Sequence, residues 1–191
     1  MVATTGRRSI TDVSISDVDL VALAGAGDSE AFDVLAQRHL PRMHSVCRRV
    51  TGNEHDALDA LQDALTAAWQ RIGDFDGRAQ IGTWLYRVAA NAAVDEVRRR
   101  RRRPTTSEDL PATATPVAVW EDVVADRLTV DWAVAQLPAP FRTAIVLRDL
   151  CGLTYKEIAE MRQIPIDTVK SQIFRGRQAL GDLLRLRGLA V

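Results

Sequence analysis

Residues 153–180 read LTYKEIAEMRQIPIDTVKSQIFRGRQAL and predict two helices joined by a tight turn. Thr154 followed by Glu157 is a capping-box pattern, which predicts a first helix from Thr154 to Arg162. Pro165 suits the first turn of a second helix, because its φ is already helical and its missing N–H is not needed there. Apolar residues at helical spacing predict the shared inward faces of the two helices: Ile158, Met161, Val169, Ile173 and Leu180.

The second helix keeps a polar and cationic outer face, made of Lys170, Ser171, Phe174, Arg175 and Arg177. A short apolar support helix, a turn and a second helix with a cationic face are what a DNA-reading helix-turn-helix needs. The alternative is a generic helical hairpin whose basic face is only solvated. Because capping, turn and charge agree with one another, they favour DNA reading.

The composition of the 191-residue chain fits one or two domains with an aliphatic core, since 47% of residues are hydrophobic and only 5% aromatic. The net charge is +0, but the charges are segregated. Six consecutive arginines run from Arg98 to Arg103, whereas residues 104–126 contain five acids and no Lys or Arg. This asymmetry indicates a surface that binds a polyanion.

Helical periodicity recurs along most of the chain and no stretch alternates at period two, so we expect no sheet. Residues 104–116 are rich in Pro, Thr and Ala, which is typical of a linker. We therefore predict an all-α fold with two helical domains, at residues 17–103 and 127–191. A tail at residues 1–16 precedes them and a flexible acidic linker at residues 104–126 joins them.

The first domain is predicted to contain four helices. Asp17 or Asp19 is expected to cap the first helix, Pro41 to kink or restart the second, and Trp84 to open the last. In the last helix, four polar residues are expected to lie on one face: Arg87, Asn91, Asp95 and Arg98. In the second domain, residues 141–149 are predicted to form an amphipathic helix that packs on the hairpin.

The helix at residues 54–71 is predicted to bury one stripe and expose the opposite face. The expected buried stripe is Leu58, Leu61, Leu65, Ala68, Trp69 and Ile72. The expected outer face is acidic and amide-rich: Asp56, Asp59, Gln62, Asp63, Thr66 and Gln70. Taken alone, such a face is most often solvated surface.

The histidines and cysteines are the candidates for metal or redox chemistry in this sequence. His39, His44 and Cys47 have ordinary helical core spacing and no second cysteine nearby, so we predict no metal site, no cofactor and no catalytic residue. Cys47 and Cys151 are expected to be buried thiols in a reduced cytoplasm, the alternative being a disulfide or redox switch. The sequence shows no secretion signal and no membrane span, and we expect a soluble cytoplasmic protein.

Three segments in order resemble the extracytoplasmic-function (ECF) sigma factors of bacterial RNA polymerase. Residues 56–63, DALDALQD, followed by Trp69, are similar to region 2.2 of that family. Residues 75–91, FDGRAQIGTWLYRVAAN, with Asp95 and the arginine run, are similar to regions 2.3 and 2.4. Residues 152–159, GLTYKEIA, and 168–177, TVKSQIFRGR, are similar to region 4.

The resemblance implies a role for each face. The implied contacts with the clamp helices of the largest polymerase subunit are Asp56, Asp59, Gln62 and Asp63. The implied contacts with the minus-ten element are Phe75, Arg78, Ala79, Ile81, Arg87, Asn91, Asp95 and Arg98. The implied contacts with the minus-thirty-five element are Thr168, Lys170, Ser171, Phe174, Arg175 and Arg177.

The implied function is that of an alternative sigma factor, which is not an enzyme. It would bind core RNA polymerase, including the flap of the second-largest subunit, recognise and help melt promoter DNA, and direct initiation for a stress or envelope regulon. A separate anti-sigma protein is implied and a small-molecule substrate is not. The rivals are a stand-alone helix-turn-helix regulator, which leaves the first hundred residues without a task, and a nucleic-acid enzyme, for which the sequence shows no Walker loop, nucleophile elbow or metal cluster.

Three positions depart from the family pattern. Gln163 stands where the family usually has glycine, so a left-handed turn conformation is less favoured there. Ile81 replaces a common aromatic residue, and Asp76 replaces a basic or small one. Both changes bear on base preference rather than on membership of the family.

Overall fold

The computed structural model describes residues 15–102 and 123–187. Within these ranges the regular structure is helical and contains no strand, which confirms the all-α prediction. The α-helices are α1 (Asp17–Gly25), α2 (Ser29–Thr51), α3 (Glu54–Arg71), α4 (Ile81–Arg102), α5 (Val123–Gln136), α6 (Ala139–Ile145), α7 (Tyr155–Arg162) and α8 (Ile166–Leu186). A 3₁₀ turn spans Ile72–Asp74 and a π-helical turn spans Val146–Leu150.

Helices α1–α4 form an N-terminal bundle in which α2, α3 and α4 pack on one another and α1 packs on α2. Large aliphatic side chains fill its centre, and Leu35, Met43 and Leu85 are fully buried. The side of α3 that faces this centre is mainly alanine, and such small side chains let helix axes approach closely. The bundle therefore holds α3 and α4 side by side, which places the acidic helix next to the arginine run.

Helix α3 is rotated relative to the predicted stripe. Leu58 is 52% exposed and Trp69 is 38% exposed, so two residues expected in the core lie at the surface. Asp56, expected on the outer face, is only 6% exposed. Leu61, Ala68 and Ile72 are buried as predicted. Ala57, Ala60 and Ala64 complete the contact face, a part of it that apolar size alone does not reveal.

Helix boundaries in this bundle differ from expectation in three places. Ser16, rather than an aspartate, caps α1, because its Oγ accepts a hydrogen bond from the Asp19 N–H at 3.2 Å. Pro41 lies inside a continuous α2, so the helix does not restart there, which was one of the two expected effects of this proline. Helix α4 begins at Ile81, three residues before Trp84.

Helices α5–α8 form a C-terminal bundle in which α8 packs against α5, α6 and α7. Helix α5 begins at Val123, so residues 123–126, assigned above to the linker, are helical. The helix predicted at residues 141–149 is an α-helix only to Ile145 and continues as the π-helical turn. The N-terminal tail to residue 14 and the linker at residues 104–122 lie outside the described residues.

None of the helices in the two described ranges combines the length and the apolar character that crossing a membrane requires.

Candidate nucleic-acid interface

The predicted hairpin is present as α7 and α8. Thr154 Oγ1 accepts from the Glu157 N–H at 3.2 Å, and the Glu157 carboxylate accepts from the Thr154 N–H at 2.6 Å, which completes the capping box. Pro165 caps α8. Gln163 ends α7 with φ 53° and ψ 46°, so it adopts the left-handed conformation despite its side chain. These features confirm the predicted helix-turn-helix.

The outer face of α8 carries the residues predicted to read the minus-thirty-five element. Lys170, Ser171, Phe174, Arg175 and Arg177 are exposed, and Thr168 is half-buried near the start of the helix. Phe174 is 63% exposed, unusual for a large aromatic side chain. A shallow hollow of about 410 Å³ lies on this face, lined among others by Tyr155, Lys170 and Phe174.

Local ion pairs hold two of these cations in place. Lys170 Nζ lies 3.0 Å from Asp167 Oδ1, one turn earlier on α8. Arg177 Nε donates to Asp149 Oδ2 at 3.2 Å. Since exposed pairs of this kind contribute little stability, the cations remain available to an external anion.

The absence of a side chain at Gly176 allows α8 to pack closely against α6. A Cβ at Gly176 would lie 2.8 Å from Ile145 Cδ1 and 3.2 Å from Phe141 Cβ, so a larger residue would push α8 away from α6. The reading face is therefore oriented by a close helix–helix contact. The sequence prediction did not single out this residue.

The four residues of α3 predicted to bind polymerase differ in their exposure to solvent. Asp59 is partly exposed and Gln62 and Asp63 are exposed, on neighbouring turns. Asp56 is buried: its carboxylate accepts from Asn53 Nδ2 at 2.7 Å and from Arg100 Nη1 at 3.1 Å. Asp56 therefore stabilises the first turn of α3 and the contact of α3 with α4.

The arginine run also engages Asp63 of the acidic face. Arg99 Nη2 donates to Asp63 Oδ2 at 3.0 Å, and Arg99 Nε donates to Glu96 Oε2 at 2.6 Å. Glu96 is fully buried, and its second oxygen, Oε1, has no partner among the described residues. The acidic helix α3 and the basic end of α4, separate in sequence, are therefore linked by two ion pairs, Arg99–Asp63 and Arg100–Asp56.

The predicted minus-ten residues follow the loop before α4 and one face of that helix. Phe75 is half-buried and stacks edge-on against Trp84, with ring centroids 5.7 Å apart. Arg78, Ala79, Asn91 and Asp95 are exposed. Ile81 is only 8% exposed and belongs to the core rather than to an open pocket.

Two members of this set face the C-terminal bundle. Arg87 donates from Nη2 to the Gly152 carbonyl at 3.0 Å and from Nη1 to Glu157 Oε1 at 3.2 Å. Arg98 pairs with Asp95 at 2.9 Å and donates to the Met161 carbonyl. Both arginines are half-buried.

The two cysteines are free, buried thiols. Burial is the main reason that the pKa of Cys47 and that of Cys151 are each raised to about 12. Both thiols are therefore protonated and unreactive at neutral pH. In the described part of the chain, no group of three His, Cys, Asp or Glu residues is placed to hold a metal ion.

Comparison with known families identifies the class of protein to which these two bundles belong. Models of sigma-70 region 2 and of sigma-70 region 4 match residues 35–103 and 127–180. The first match contains α3 and α4, and the second contains the hairpin.

Relatives that align over most of the chain identify the subfamily to which it belongs. The chain is 33% identical over 173 residues to the ECF RNA polymerase sigma factor SigW of Bacillus subtilis, covering 83% of this chain and 91% of the relative. It is 37% identical over 170 residues to the ECF RNA polymerase sigma factor SigM of Mycobacterium tuberculosis, covering 88% and 85%. The chain belongs to the ECF RNA polymerase sigma factors, and is therefore an alternative sigma factor that directs transcription initiation.

Solved structures agree with this fold. The sigma factor RpoE from Bartonella quintana, solved with the anti-sigma factor NepR, aligns with a TM-score of 0.58 at 26% identity, covering 81% of this chain and 96% of that one. CnrH, solved with the cytosolic domain of CnrY, aligns with a TM-score of 0.51 at 26% identity, covering 89% and 97%.

Proposed function

We propose that the chain binds core RNA polymerase through α3, reads the minus-ten element with α4 and its preceding loop, and reads the minus-thirty-five element with α8. The observation that carries the proposal is the presence, in one chain, of the exposed acidic and amide row of α3 and the exposed cationic face of α8. The polymerase supplies the chemistry, and the chain itself is not an enzyme. Its place of action is the cytoplasm, where the polymerase works.

The polymerase-docking surface is proposed to centre on Asp59, Gln62 and Asp63, with Leu58 beside them. The exposed Leu58 supplies apolar contact area, which the acidic row lacks. Charge complementarity to an arginine-rich clamp helix would fix register and speed encounter more than it adds affinity. Asp56 contributes by holding α3 in place rather than by touching the polymerase.

The minus-ten surface is proposed to bind unstacked promoter bases near Phe75, Asn91 and Asp95. Melting then follows from preferential binding of the open strand, since a ligand shifts an equilibrium by its differential affinity for the two states. Unstacking a base costs a few kcal/mol, which base contacts and arginine–phosphate contacts offset. Arg78 and Arg98 are the phosphate-binding candidates in this set.

The minus-thirty-five surface is proposed to enter the major groove with Lys170 and Arg175 toward base edges. Lysine and arginine favour guanine, which presents two acceptors there, and Phe174 can contact a thymine methyl group. We therefore expect a G-containing upstream element. Selection of duplexes by the holoenzyme from a random pool tests this, and a selected set without guanine enrichment would contradict it.

Regulation is proposed to involve a separate anti-sigma protein and a stress or envelope regulon. The support is that the aligned RpoE and CnrH structures were solved with anti-sigma NepR and with CnrY. Such a partner would cover the faces on α3, α4 and α8.

Co-elution with core RNA polymerase tests the docking proposal. The double variant Asp59→Ala/Gln62→Ala should weaken co-elution by about tenfold or more, because truncating central interface residues costs over about 1 kcal/mol each. Asp33→Ala on α2 serves as the matched exposed-acid control and should elute as the wild type does. Equal retention of all three proteins would place docking elsewhere, and binding of duplex DNA without polymerase would favour a stand-alone regulator.

A further inference from the structure

An acidic residue lies in the middle of the face of α8 that is proposed to enter the major groove. Asp167 stands two residues before the buried Val169, which places the two side chains about 200° apart around the helix axis. The Asp167 side chain is 86% exposed. It therefore points away from the bundle, on the same side of α8 as the exposed Phe174 two turns later.

The Asp167 carboxylate is bound to one of the cations predicted to read the minus-thirty-five element. Its Oδ1 accepts a hydrogen bond from Lys170 Nζ at 3.0 Å. Its second oxygen, Oδ2, has no donor among the residues that the structure describes. A carboxylate has about four acceptor sites on its two oxygens, so Asp167 keeps acceptor capacity that faces outward.

A carboxylate at this place affects DNA binding in a way that depends on the base it meets. Duplex DNA carries one negative charge per about 1.7 Å of axis, so an acid on the reading face is repelled unless it accepts a hydrogen bond from a base edge. In the major groove the N4 amino group of cytosine is the donor that suits an aspartate. Guanine and thymine present acceptor oxygens there, which would repel the carboxylate.

The structural role of Asp167 predicts a different behaviour. An acid in the first turn of a helix is stabilised by the helix dipole, and the pair with Lys170 adds a small local stabilisation. Both contributions are the same whichever DNA sequence is bound. A change in base preference therefore distinguishes base reading from support of the helix.

The spacing of Asp167 and Lys170 indicates which base pairs they reach. Three residues span about 4.5 Å along a helix axis, close to the distance of about 3.4 Å between stacked base pairs. Residues three apart on the helix of a C₂H₂ zinc finger likewise contact successive bases. Asp167 and Lys170 are therefore placed to contact neighbouring base pairs.

We propose that Asp167 is a specificity-determining residue of the minus-thirty-five surface, which accepts a hydrogen bond from cytosine N4 in the base pair next to the guanine bound by Lys170. The inference rests on the proposed function, since it names a further base that the same surface selects. Lys170 contributes to the same step, because its ammonium group holds the carboxylate in position through Oδ1 and leaves Oδ2 to the base.

Selection of duplexes from a pool randomised across the upstream element tests the proposal, with holoenzyme reconstituted from the chain and core RNA polymerase. The wild type should enrich a cytosine directly beside an enriched guanine. Asp167→Ala should return that position to about the base frequencies of the pool and keep the guanine, because Lys170 and Arg175 are unchanged. Asp167→Asn should exchange the cytosine for adenine, with which an amide side chain makes two hydrogen bonds.

Asp182→Ala is the matched control. Asp182 is another exposed acid of α8 and forms the same kind of pair, with Arg185 three residues later at 3.2 Å. It lies four turns further along the helix, so this variant should select the same element as the wild type. Circular dichroism should show native helix content for all of these variants.

A single-atom probe separates the reading of cytosine from the reading of the guanine paired with it. In the selected duplex the cytosine is replaced by pyrimidin-2-one, which lacks the N4 amino group. The affinity of the wild-type holoenzyme should fall about fivefold or more beyond any loss shown by the Asp167→Ala holoenzyme, since one mismatched contact typically costs that much.

Retention of the cytosine by Asp167→Ala would overturn the proposal, and so would equal losses of affinity by wild type and Asp167→Ala on the pyrimidin-2-one duplex. Loss of the guanine together with the cytosine in Asp167→Ala would also overturn it, because Asp167 would then act through the position of α8. Failure of the proposed function has a different signature: neither the wild type nor Asp182→Ala would co-elute with core polymerase or enrich any element.

Discussion

Arg100 Nη1 lies 3.1 Å from Asp56 Oδ2, which ties the arginine run of α4 to the first turn of α3. The same carboxylate accepts from Asn53, the residue that caps α3. One acid of the predicted docking set is therefore part of the internal support of the helix.

Asp56→Ala should lower the free energy of unfolding by about 1–3 kcal/mol, because it removes a buried carboxylate that accepts charge-assisted hydrogen bonds from Asn53 and Arg100. Asp59→Ala removes a partly exposed acid and should change stability by less than about 0.5 kcal/mol. Thermal unfolding of the two variants makes the comparison. Equal stability of both would show that the Asp56 network carries no net stabilisation.

Gln163→Gly should raise the free energy of unfolding by about 1 kcal/mol. A residue with a Cβ pays about that amount to hold φ 53°, whereas glycine adopts this conformation without strain. Denaturant titration measures the change, with Gln163→Ala as the control that keeps the Cβ. A destabilised glycine variant would mean that the Gln163 side chain supports the turn in some other way.

Glu157→Gln should make the chain's stability less dependent on pH. Hydrogen bonds from Thr154, main chain first, lower the pKa of the Glu157 carboxyl below its ordinary value of 4.5, and burial opposes them only in part. A lowered carboxyl pKa means that the ionised form stabilises the fold above pH 4.5 and that this contribution is lost as the pH falls through the folded-state pKa.

The measurement is a set of denaturant titrations of both proteins at decreasing pH. Glutamine keeps the hydrogen-bond geometry of the capping box, so the difference isolates the charge. It should be under about 1 kcal/mol at neutral pH, because the side chain is partly exposed, and should shrink in acid. A difference that grows as the pH falls would contradict the assignment.

Gly176→Ala should destabilise the C-terminal bundle by about 1–3 kcal/mol, through overpacking of the added Cβ against Ile145 and Phe141. Gly181→Ala on the same helix is the matched control. Its Cβ would meet only the far end of the Arg185 side chain, at 3.3 Å from Nη2, so the better helix propensity of alanine should stabilise by about 0.5–1 kcal/mol. Opposite signs in thermal unfolding are expected, and equal signs would contradict the packing at Gly176.

Local pattern predicted the hairpin well, because its determinants lie a few residues apart. Thr154 and Glu157 form the capping box, and Val169 and Ile173 are buried, as their spacing predicts. The left-handed Gln163 shows that the turn is imposed by the two packed helices, which override the preference of that residue.

The sequence analysis did not predict the contacts between residues that lie far apart in the chain. Arg100 is 44 residues from Asp56, and Arg142 is 93 residues from the Arg49 carbonyl that it caps. No periodic signal connects such positions. The orientation of α3 was missed in part for a related reason: alanines fill much of its buried face while Leu58 is exposed, an arrangement decided by the neighbouring helices.

Run-off transcription with purified core RNA polymerase tests the central claim most directly. Genomic fragments from the source organism are transcribed by core polymerase with and without the chain, and with the Lys170→Ala/Arg175→Ala variant. The account predicts discrete new transcripts only when the wild-type chain is added, with a marked loss for the variant. Identical products with and without the chain, from polymerase shown to be active, would contradict it.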